Sequence, residues 1–270
     1  MKKMLALVLA LMMMLSCASA LAEGTLRVGM ECNYAPFNWT QTDANEYTVP
    51  IGGDGLMGYA DGYDVQIAKF IADYLDMELV IVKTEWDGLP IGVQSGMLDA
   101  IIAGMSPTEE RKASLDFSDA YYTSELVVVV RKDSKYAAAK SLEELKGAAI
   151  TGQLNTFHYS VIPQIPGVNQ AMAMDTFPAM VIATRSGMVD GYVAERPGAE
   201  ADCLANPDLT FISFEEGKGF VASEADVSIA VGLQKGSPLL DKINEALSQL
   251  DADTRYQMME DAKLRQPLSE

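Results

Sequence analysis

Two stretches of the chain share one pattern: residues 95–107 read SGMLDAIIAGMSP, and residues 186–198 read SGMVDGYVAERPG. Each Ser-Gly-Met lies nine residues after an aromatic residue, Trp86 or Phe177, and each is followed by an aspartate and an apolar run. Such self-similarity indicates two copies of one supersecondary unit. We therefore predict a helix, a turn and a strand twice over, in two similar α/β lobes.

The flanking sequence extends both units in the same way. Predicted strands at 26–29, 78–82 and 98–103 alternate with helices at 64–76 and 87–97. The second unit has strands at 148–151, 170–174 and 189–193, helices at 156–164 and 177–186, and an edge strand at 220–223. This alternation favours a mostly parallel sheet in each lobe. The Gly- and Asp-rich segment 40–58 is predicted to be a loop or small hairpin outside the core.

Two apolar runs, 126–130 and 227–233, flank the second unit, so we expect the chain to cross between lobes near both. The prediction is an α/β fold of two similar lobes joined by two crossover strands, with residues 23–124 and 227–270 in lobe 1 and 125–226 in lobe 2. Terminal helices are expected at 238–250 and 253–264. Two crossings permit hinge closure.

The N-terminus has the features of a secretory signal at residues 1–22: two lysines, an apolar run at 4–15, then small residues. Cys17 raises the alternative of a lipidated N-terminus, and simple cleavage is favoured. We predict an extracytoplasmic protein.

The net charge of −18 and the lack of a cluster of basic residues disfavour nucleic-acid binding. Cys32 and Cys203 are predicted to be unpaired thiols.

The segment after the third strand has the features of an anion receptor. Ser106 is a suitable N-cap, Pro107 suits the first helical position, and Glu109 completes a capping box. Arg111 lies about one turn after the start of this predicted helix, where a positive charge interacts unfavourably with the helix dipole. It is therefore either a solvated surface residue or aimed at an anion such as a carboxylate. On this segment alone both alternatives stay open.

Ligands of open α/β sheets bind outside the carboxyl ends of the strands. The repeat places two such ends in equivalent positions, residues 103–106 in lobe 1 and residues 194–197 in lobe 2. We expect both to face one cleft.

Seven motifs occur along the mature chain: YAPF (34–37), GYDVQIAK (62–69), WDGL (86–89), DAIIAGMSPTEER (99–111), DFSDAYY (116–122), DGYVAE (190–195) and KINEAL (242–247). In their order and spacing, the chain resembles the polar-amino-acid-binding proteins of bacterial ABC transporters, the extracellular solute-binding type. The resemblance implies the type II periplasmic-binding-protein architecture. It also implies an amino-acid ligand, delivery to a membrane ABC permease, a monomer, and no cofactor or metal.

The resemblance further implies roles for individual residues. Arg111 would bind the ligand's α-carboxylate, and Glu195 its α-ammonium. Tyr34 and Trp86 would sandwich the ligand side chain, and Glu31 would contact its polar end. Backbone groups at both cleft edges, and Gln153, would assist. The complete predicted set is Glu31, Tyr34, Trp86, Ala103, Gly104, Met105, Ser106, Arg111, Gln153, Thr156, Phe157 and Glu195.

An acid beside an aromatic surface favours a cationic side chain such as that of arginine or lysine. The alternative function is an exported dehydratase or lyase on the same scaffold, with Glu195 or Glu31 as general acid.

For several other residues we predict a purely structural role. His158 is predicted to be a helix-surface residue, Arg196 a surface ion-pair partner, and the methionines at 172, 174 and 180 part of the core.

Overall fold

The computed structural model describes residues 24–53 and 55–267. The predicted signal peptide, with Cys17, and Asp54 in the predicted loop segment lie outside these residues. The strands are β1 Thr25–Met30, β2 Asn33–Tyr34, β3 Asn38–Gln41, β4 Val49–Pro50, β5 Tyr59–Asp61, β6 Glu78–Lys83, β7 Ala100–Ile101, β8 Leu115–Thr123, β9 Leu126–Arg131, β10 Ala149–Thr151, β11 Asn169–Gln170, β12 Gly191–Glu195, β13 Leu209–Ile212 and β14 Ser228–Gln234. The α-helices are α1 Tyr63–Leu75, α2 Gly88–Gln94, α3 Glu109–Lys112, α4 Phe157–Ser160, α5 Phe177–Arg185, α6 Arg196–Ala205, α7 Glu224–Val227, α8 Leu240–Ser248 and α9 Ala252–Arg265. Short 3₁₀ helices occupy Leu142–Leu145 and Ile162–Gln164.

Two five-stranded sheets form the two lobes, in the orders β6-β1-β7-β14-β8 and β11-β10-β12-β9-β13. In each sheet the first three strands are parallel and the last two are antiparallel to their neighbours. The predicted α/β architecture of two similar lobes is confirmed. The sheets are less parallel than predicted because β9 and β14, the strands that follow the crossings, enter each sheet in the opposite direction.

The aspartates of the repeat explain why the two units share a register. The Asp99 carboxylate accepts a hydrogen bond from the backbone N–H of Arg27, and the backbone N–H of Asp99 donates to the Arg27 carbonyl, both at 2.9 Å. Asp190 makes the same two bonds with Ala149, both at 2.8 Å. Each aspartate therefore joins the strand that it precedes to a parallel neighbour, β1 in lobe 1 and β10 in lobe 2.

The two crossings between the sheets run side by side. The N–H of Ser124 donates to the carbonyl of Val227 at 3.0 Å, and Thr123 pairs with Ser228 at the end of β8 and β14. Bending at this paired ribbon would move both crossings together. The lobe boundaries at 124/125 and 226/227 stay a prediction.

The C-terminal helix α9 contacts both lobes, packing on α1 and on α6. Arg265 forms an ion pair with Asp61 at 3.0 Å in lobe 1. Lys263 forms one with Glu200 at 2.7 Å, and the side-chain amide of Gln266 donates to the Ala201 carbonyl at 2.8 Å.

Segment 40–58 is more ordered than predicted. β4 pairs with β5 in a small sheet of order β2-β3-β5-β4. Ile51 is fully buried in the main core and bridges Ile81 of β6. The prediction that the whole segment lies outside the core is therefore wrong at 49–51, because Val49 and Ile51 supply apolar surface that the edge of the sheet can cover.

Several element boundaries also differ from prediction. The strand at 98–103 is reduced to β7, the strand at 170–174 to β11, and the helix at 156–164 is divided into α4 and a 3₁₀ turn. The predicted edge strand at 220–223 is absent, and β13 occupies that edge. Helix α6 was not predicted, because Pro197 and Gly198 resemble a helix stop. Pro197 instead lies in the first turn, where its missing N–H costs nothing.

The burial of the methionines and the state of the two cysteines test further predictions. Met180 is buried as predicted, Met174 is partly buried, and Met172 is 85% exposed, so its assignment to the core is wrong. Cys32 and Cys203 are unpaired thiols, as predicted. Within residues 24–53 and 55–267, no helix has the length and apolarity needed to span a bilayer. The same residues contain no group of three or more His, Cys, Asp or Glu side chains arranged to hold a metal.

Candidate functional site

The carboxyl ends of strands from both lobes meet in one closed cleft. At its centre is a cavity of about 20 Å³, room for about one water molecule. Nine of the predicted residues line it: Tyr34, Trp86, Gly104, Ser106, Arg111, Gln153, Thr156, Phe157 and Glu195. An amino acid cannot enter a space of this size unless the lobes separate.

The other three predicted residues lie behind or beside this cavity. Ala103 and Met105 are each 1% exposed and pack in the core of lobe 1. Glu31 lies at the end of β1 and reaches the cavity through Gln153. A groove of about 910 Å³ adjoins the cavity and shares Arg111 with it, so this guanidinium has a path to solvent.

Arg111 is the cation of the site. Its Nη1 donates to the Ser106 carbonyl at 3.0 Å, its Nη2 donates to the Asn155 carbonyl at 3.3 Å, and the guanidinium lies 5.0 Å from the centre of the Trp86 ring. It forms no ion pair with any carboxylate of residues 24–53 and 55–267. Burial lowers the pKa of Arg111 to about 10. A partly desolvated cation that has only carbonyl acceptors is suited to receive an anion.

The predicted capping of the Arg111 helix is wrong in detail. The helix α3 begins at Glu109, and its N-cap is Thr108, whose hydroxyl accepts from the N–H of Arg111 at 3.4 Å. The Ser106 carbonyl is taken by the N–H of Thr108 and by the Arg111 side chain. Ser106 therefore shapes the turn before the helix and does not cap it.

Glu195 is the anion of the site, and it is 4% exposed at the end of β12. Its Oε2 accepts hydrogen bonds from the Tyr34 hydroxyl and, at 2.7 Å, from Nε2 of His158. Burial alone would raise the pKa of this carboxyl, but the contacts with His158 and Tyr34 outweigh burial and hold it below its ordinary value. Glu195 is therefore a charged group in a water-poor site.

The prediction that His158 lies on a helix surface is wrong. The imidazole is 8% exposed, contacts Glu195, and packs edge-on against Phe177 with ring centres 5.6 Å apart. Helix α4 is only four residues long, so its sequence carries no periodicity from which the buried face can be identified.

The two aromatic residues predicted to sandwich the ligand side chain contact different partners in this structure, and the sandwich stays a prediction. Tyr34 stacks on Phe37 of its own lobe at 4.9 Å and on Phe177 of the opposite lobe at 4.3 Å, while Trp86 packs against Arg111. Phe177 is thus a cleft residue that sequence reasoning missed. A signal for it existed, because the repeat gives Phe177 the position that Trp86 has in lobe 1.

Glu31 marks an acidic end of the cleft. It is 4% exposed, and Nε2 of Gln153 donates to its two oxygens at 3.2 and 3.3 Å. Burial raises the pKa of Glu31 to about 7; the Gln153 bond opposes this rise, and the charges of Glu85 and Asp87 add to it. A cation placed here would be attracted by three carboxylates.

Asn155 is a contact between the lobes at the mouth of the cleft. Its carbonyl accepts from Nε1 of Trp86 and from Arg111, each at 3.3 Å, and its side-chain amide donates to both oxygens of Asp87 at 3.0 Å. Its φ of 56° is left-handed, which asparagine tolerates better than most residues. A residue of lobe 2 thus holds three side chains of lobe 1.

Residues 26–262 match the sequence profile of the bacterial extracellular solute-binding proteins, family 3. The chain belongs to this family. This solute-binding protein is 28% identical to the arginine-binding extracellular protein ArtP of Bacillus subtilis over 231 residues, covering 84% of this chain and 80% of ArtP.

Solved structures give the same family and fold. The substrate-binding protein AbpA of Streptococcus pneumoniae, bound to L-arginine, superposes with a TM-score of 0.75 at 26% identity, covering 90% of this chain and 96% of AbpA. The ancestral amino acid-binding protein AncCDT-1, a precursor of cyclohexadienyl dehydratase, has a TM-score of 0.72 at 26% identity, covering 89% of this chain and 96% of its own. The type II architecture is confirmed, and this chain, like its named relatives, is a binding protein of the ABC-transporter class and not an enzyme.

Proposed function

We propose that this solute-binding protein captures an L-amino acid with a cationic side chain in the cleft and presents it to a membrane ABC permease. The observation that carries the proposal is the complementary pair of Arg111 in lobe 1 and Glu195 in lobe 2. A zwitterion leaving water needs both of its charges paired. The guanidinium offers two donors to the α-carboxylate, and the buried carboxylate offers an acceptor to the α-ammonium.

Glu31 supports the choice of a cationic side chain. A buried carboxyl with a raised pKa is costly to ionise on its own, and an incoming cation removes that cost. ArtP is named as an arginine-binding protein and AbpA was solved with L-arginine bound, which supports the same choice. Charge-assisted hydrogen bonds of about 1.5–3 kcal/mol each, two at Arg111 and one each at Glu195 and Glu31, would together with the aromatic contacts suffice for micromolar binding, about −8 kcal/mol.

The twelve predicted residues form the proposed ligand set, with His158 and Phe177 added from the structure. In the proposal, a bound ligand replaces the present contacts across the cleft. Its carboxylate takes the place of the Asn155 carbonyl on Arg111, and its side chain separates Tyr34 from Phe177.

Three further parts of the proposal concern the protein's setting. The protein works outside the cytoplasm after cleavage of residues 1–22, without lipid at Cys17. It acts as a monomer. It delivers its ligand to the permease of an ABC importer. We also propose that the boundaries between its two lobes lie at 124/125 and 226/227.

The test is a calorimetric titration of the mature protein, after unfolding and refolding to remove any bound ligand, with each common L-amino acid and L-cystine. We expect one-to-one micromolar binding of arginine or lysine, and binding at least about tenfold weaker for glutamine, whose side chain is polar but neutral. Tighter binding of a neutral amino acid would overturn the cationic assignment. Chemical conversion of the bound ligand would instead revive the dehydratase or lyase alternative.

A further inference from the structure

His158 is a buried histidine to which the sequence motifs assign no functional role. It lies on α4 of lobe 2, and its Nε2 is 2.7 Å from Oε2 of Glu195. Among the described residues its Nδ1 has no hydrogen-bond partner although it is buried. A buried N–H without an acceptor is rarer than a buried lone pair without a donor. The ring proton therefore belongs on Nε2, where it is donated to Glu195.

The bonds to Glu195 are unevenly distributed between its two oxygens. Both the Tyr34 hydroxyl and His158 donate to Oε2. Because two donors from different lobes hold that oxygen, the carboxylate is fixed in orientation. Oε1 is then the oxygen that a ligand's ammonium can approach.

The other titratable and charged groups around Glu195 do not provide such support. Asp64 of lobe 1 is a buried acid whose charge repels Glu195, and Arg111 attracts it only through a long-range interaction. The adjacent Arg196 is committed to Glu125 and Glu200 on the surface, as its predicted role requires. His158 is therefore the one cationic or donor side chain of lobe 2 that touches Glu195 within the described part of the chain.

We propose that His158 is a positioning residue that keeps Glu195 ionised and aimed at the cleft, so that Oε1 can bind the α-ammonium of the ligand. The inference rests on the proposed function for its ligand, but the His158–Glu195 contact exists without one. A protonated Glu195 would be a poor partner for an ammonium group, so His158 acts on binding through Glu195.

The experiment compares the wild type with His158→Met, which keeps the bulk and removes the donor, and with His158→Gln, whose amide nitrogen can replace Nε2. Ser160→Ala is the matched control on the same helix, since that hydroxyl donates to the Phe157 carbonyl and has no other hydrogen-bond partner among the described residues. The probes are L-arginine and 5-guanidinopentanoate, which is arginine without the α-ammonium. Dissociation constants are measured by calorimetry between pH 4.5 and 8.

We expect His158→Met to weaken arginine binding about 10- to 100-fold at pH 7, the range for a hydrogen bond to a charged group, and to change 5-guanidinopentanoate binding by less than about threefold. The variant should also lose arginine affinity at a higher pH than the wild type on acidification, because Glu195 takes up a proton more readily. His158→Gln should restore most of the affinity, and Ser160→Ala should match the wild type.

A second measurement needs no ligand. The carboxyl carbon of Glu195 is followed by ¹³C NMR through a pH titration, and its pKa should rise in His158→Met and rise less in His158→Gln. Equal loss of affinity for both probes, or an unchanged Glu195 titration, would overturn the inference. If no amino acid binds the wild type but the Glu195 titration shifts as expected, the proposed function has failed while the role of His158 toward Glu195 stands.

Discussion

The raised pKa of Glu31 makes ligand binding measurable as proton release. With a pKa of about 7, Glu31 is about 90% protonated at pH 6, about half at pH 7 and about 10% at pH 8. A cationic side chain that enters beside Glu31 favours the ionised form and expels the proton. Binding should therefore release about 0.9 proton per ligand at pH 6, about 0.5 at pH 7 and about 0.1 at pH 8.

The assay is isothermal titration calorimetry with L-arginine in buffers that differ in ionisation enthalpy. The slope of the observed enthalpy against the buffer enthalpy gives the number of protons released. Over the same range the dissociation constant should fall about tenfold from pH 6 to pH 8, because the proton competes with the ligand at low pH. Glu31→Gln is the control, since a glutamine has no proton to lose. Proton release below about 0.2 at pH 6, or release that persists in Glu31→Gln, would refute the reasoning.

Three other predictions concern binding, closure and stability. Arg111→Met should weaken amino-acid binding at least about 100-fold in calorimetry, because two charge-assisted bonds to the carboxylate are lost, and an unchanged affinity would contradict the proposed anion site. Asn155→Gly keeps the left-handed φ but removes two side-chain bonds to lobe 1, so the ligand-free radius of gyration from X-ray scattering should increase; an equal radius would show that these bonds do not hold the lobes together. Gly62→Ala should lower the free energy of unfolding by about 3 kcal/mol, since φ is 133° and an added Cβ would overlap the Phe37 carbonyl, whereas Gly96→Ala, with no atom within 4 Å, should cost about 1 kcal/mol in denaturant titrations. Equal costs at the two glycines would contradict the steric argument.

The pH dependence of folding has a sign that follows from the same buried acid. The pKa of Glu31 is higher in the folded chain than its ordinary value of 4.5, so the folded state holds the proton more tightly. Stability from this group is therefore full below about pH 4.5 and declines as the pH rises through 7, by about 3 kcal/mol in all. The decrease in the denaturation midpoint from pH 5 to pH 7.5 should therefore be smaller in Glu31→Gln than in the wild type, because the variant lacks the contribution of this carboxyl group.

Features with a local physical cause were predictable from the sequence. The repeat identified the two lobes because each Ser-Gly-Met ends a helix and each aspartate fixes the register of the following strand. The helix-dipole argument made Arg111 a candidate for an anion site, but on that segment alone a solvated surface arginine fitted equally well, and only the family resemblance favoured the carboxylate role. The helix predicted at 64–76 is found as α1, and Val65, Ala68, Ile71 and Ala72, which recur at helical spacing, are all buried.

Features that depend on distant partners were not predictable. His158 lies on a single helical turn, and its burial depends on Glu195 and Phe177, which come from elsewhere in the chain. Ile51 lies in a segment rich in turn residues, and only the docking of β4 beside β6 makes it core. In the cleft, the aromatic ring that stacks on Tyr34 from the opposite lobe depends on how the lobes close, and no local sequence pattern predicts that contact.

The helix α9 has a use in engineering. Lys263 and Gln266 contact Glu200 and Ala201 of lobe 2, while Arg255 and Arg265 hold the helix to lobe 1. When the lobes part, those two contacts have to shift or break, and the end of the helix at residues 263–266 changes its surroundings. A fluorophore attached just beyond residue 267 would thus be a reporter of opening that leaves every cleft residue untouched.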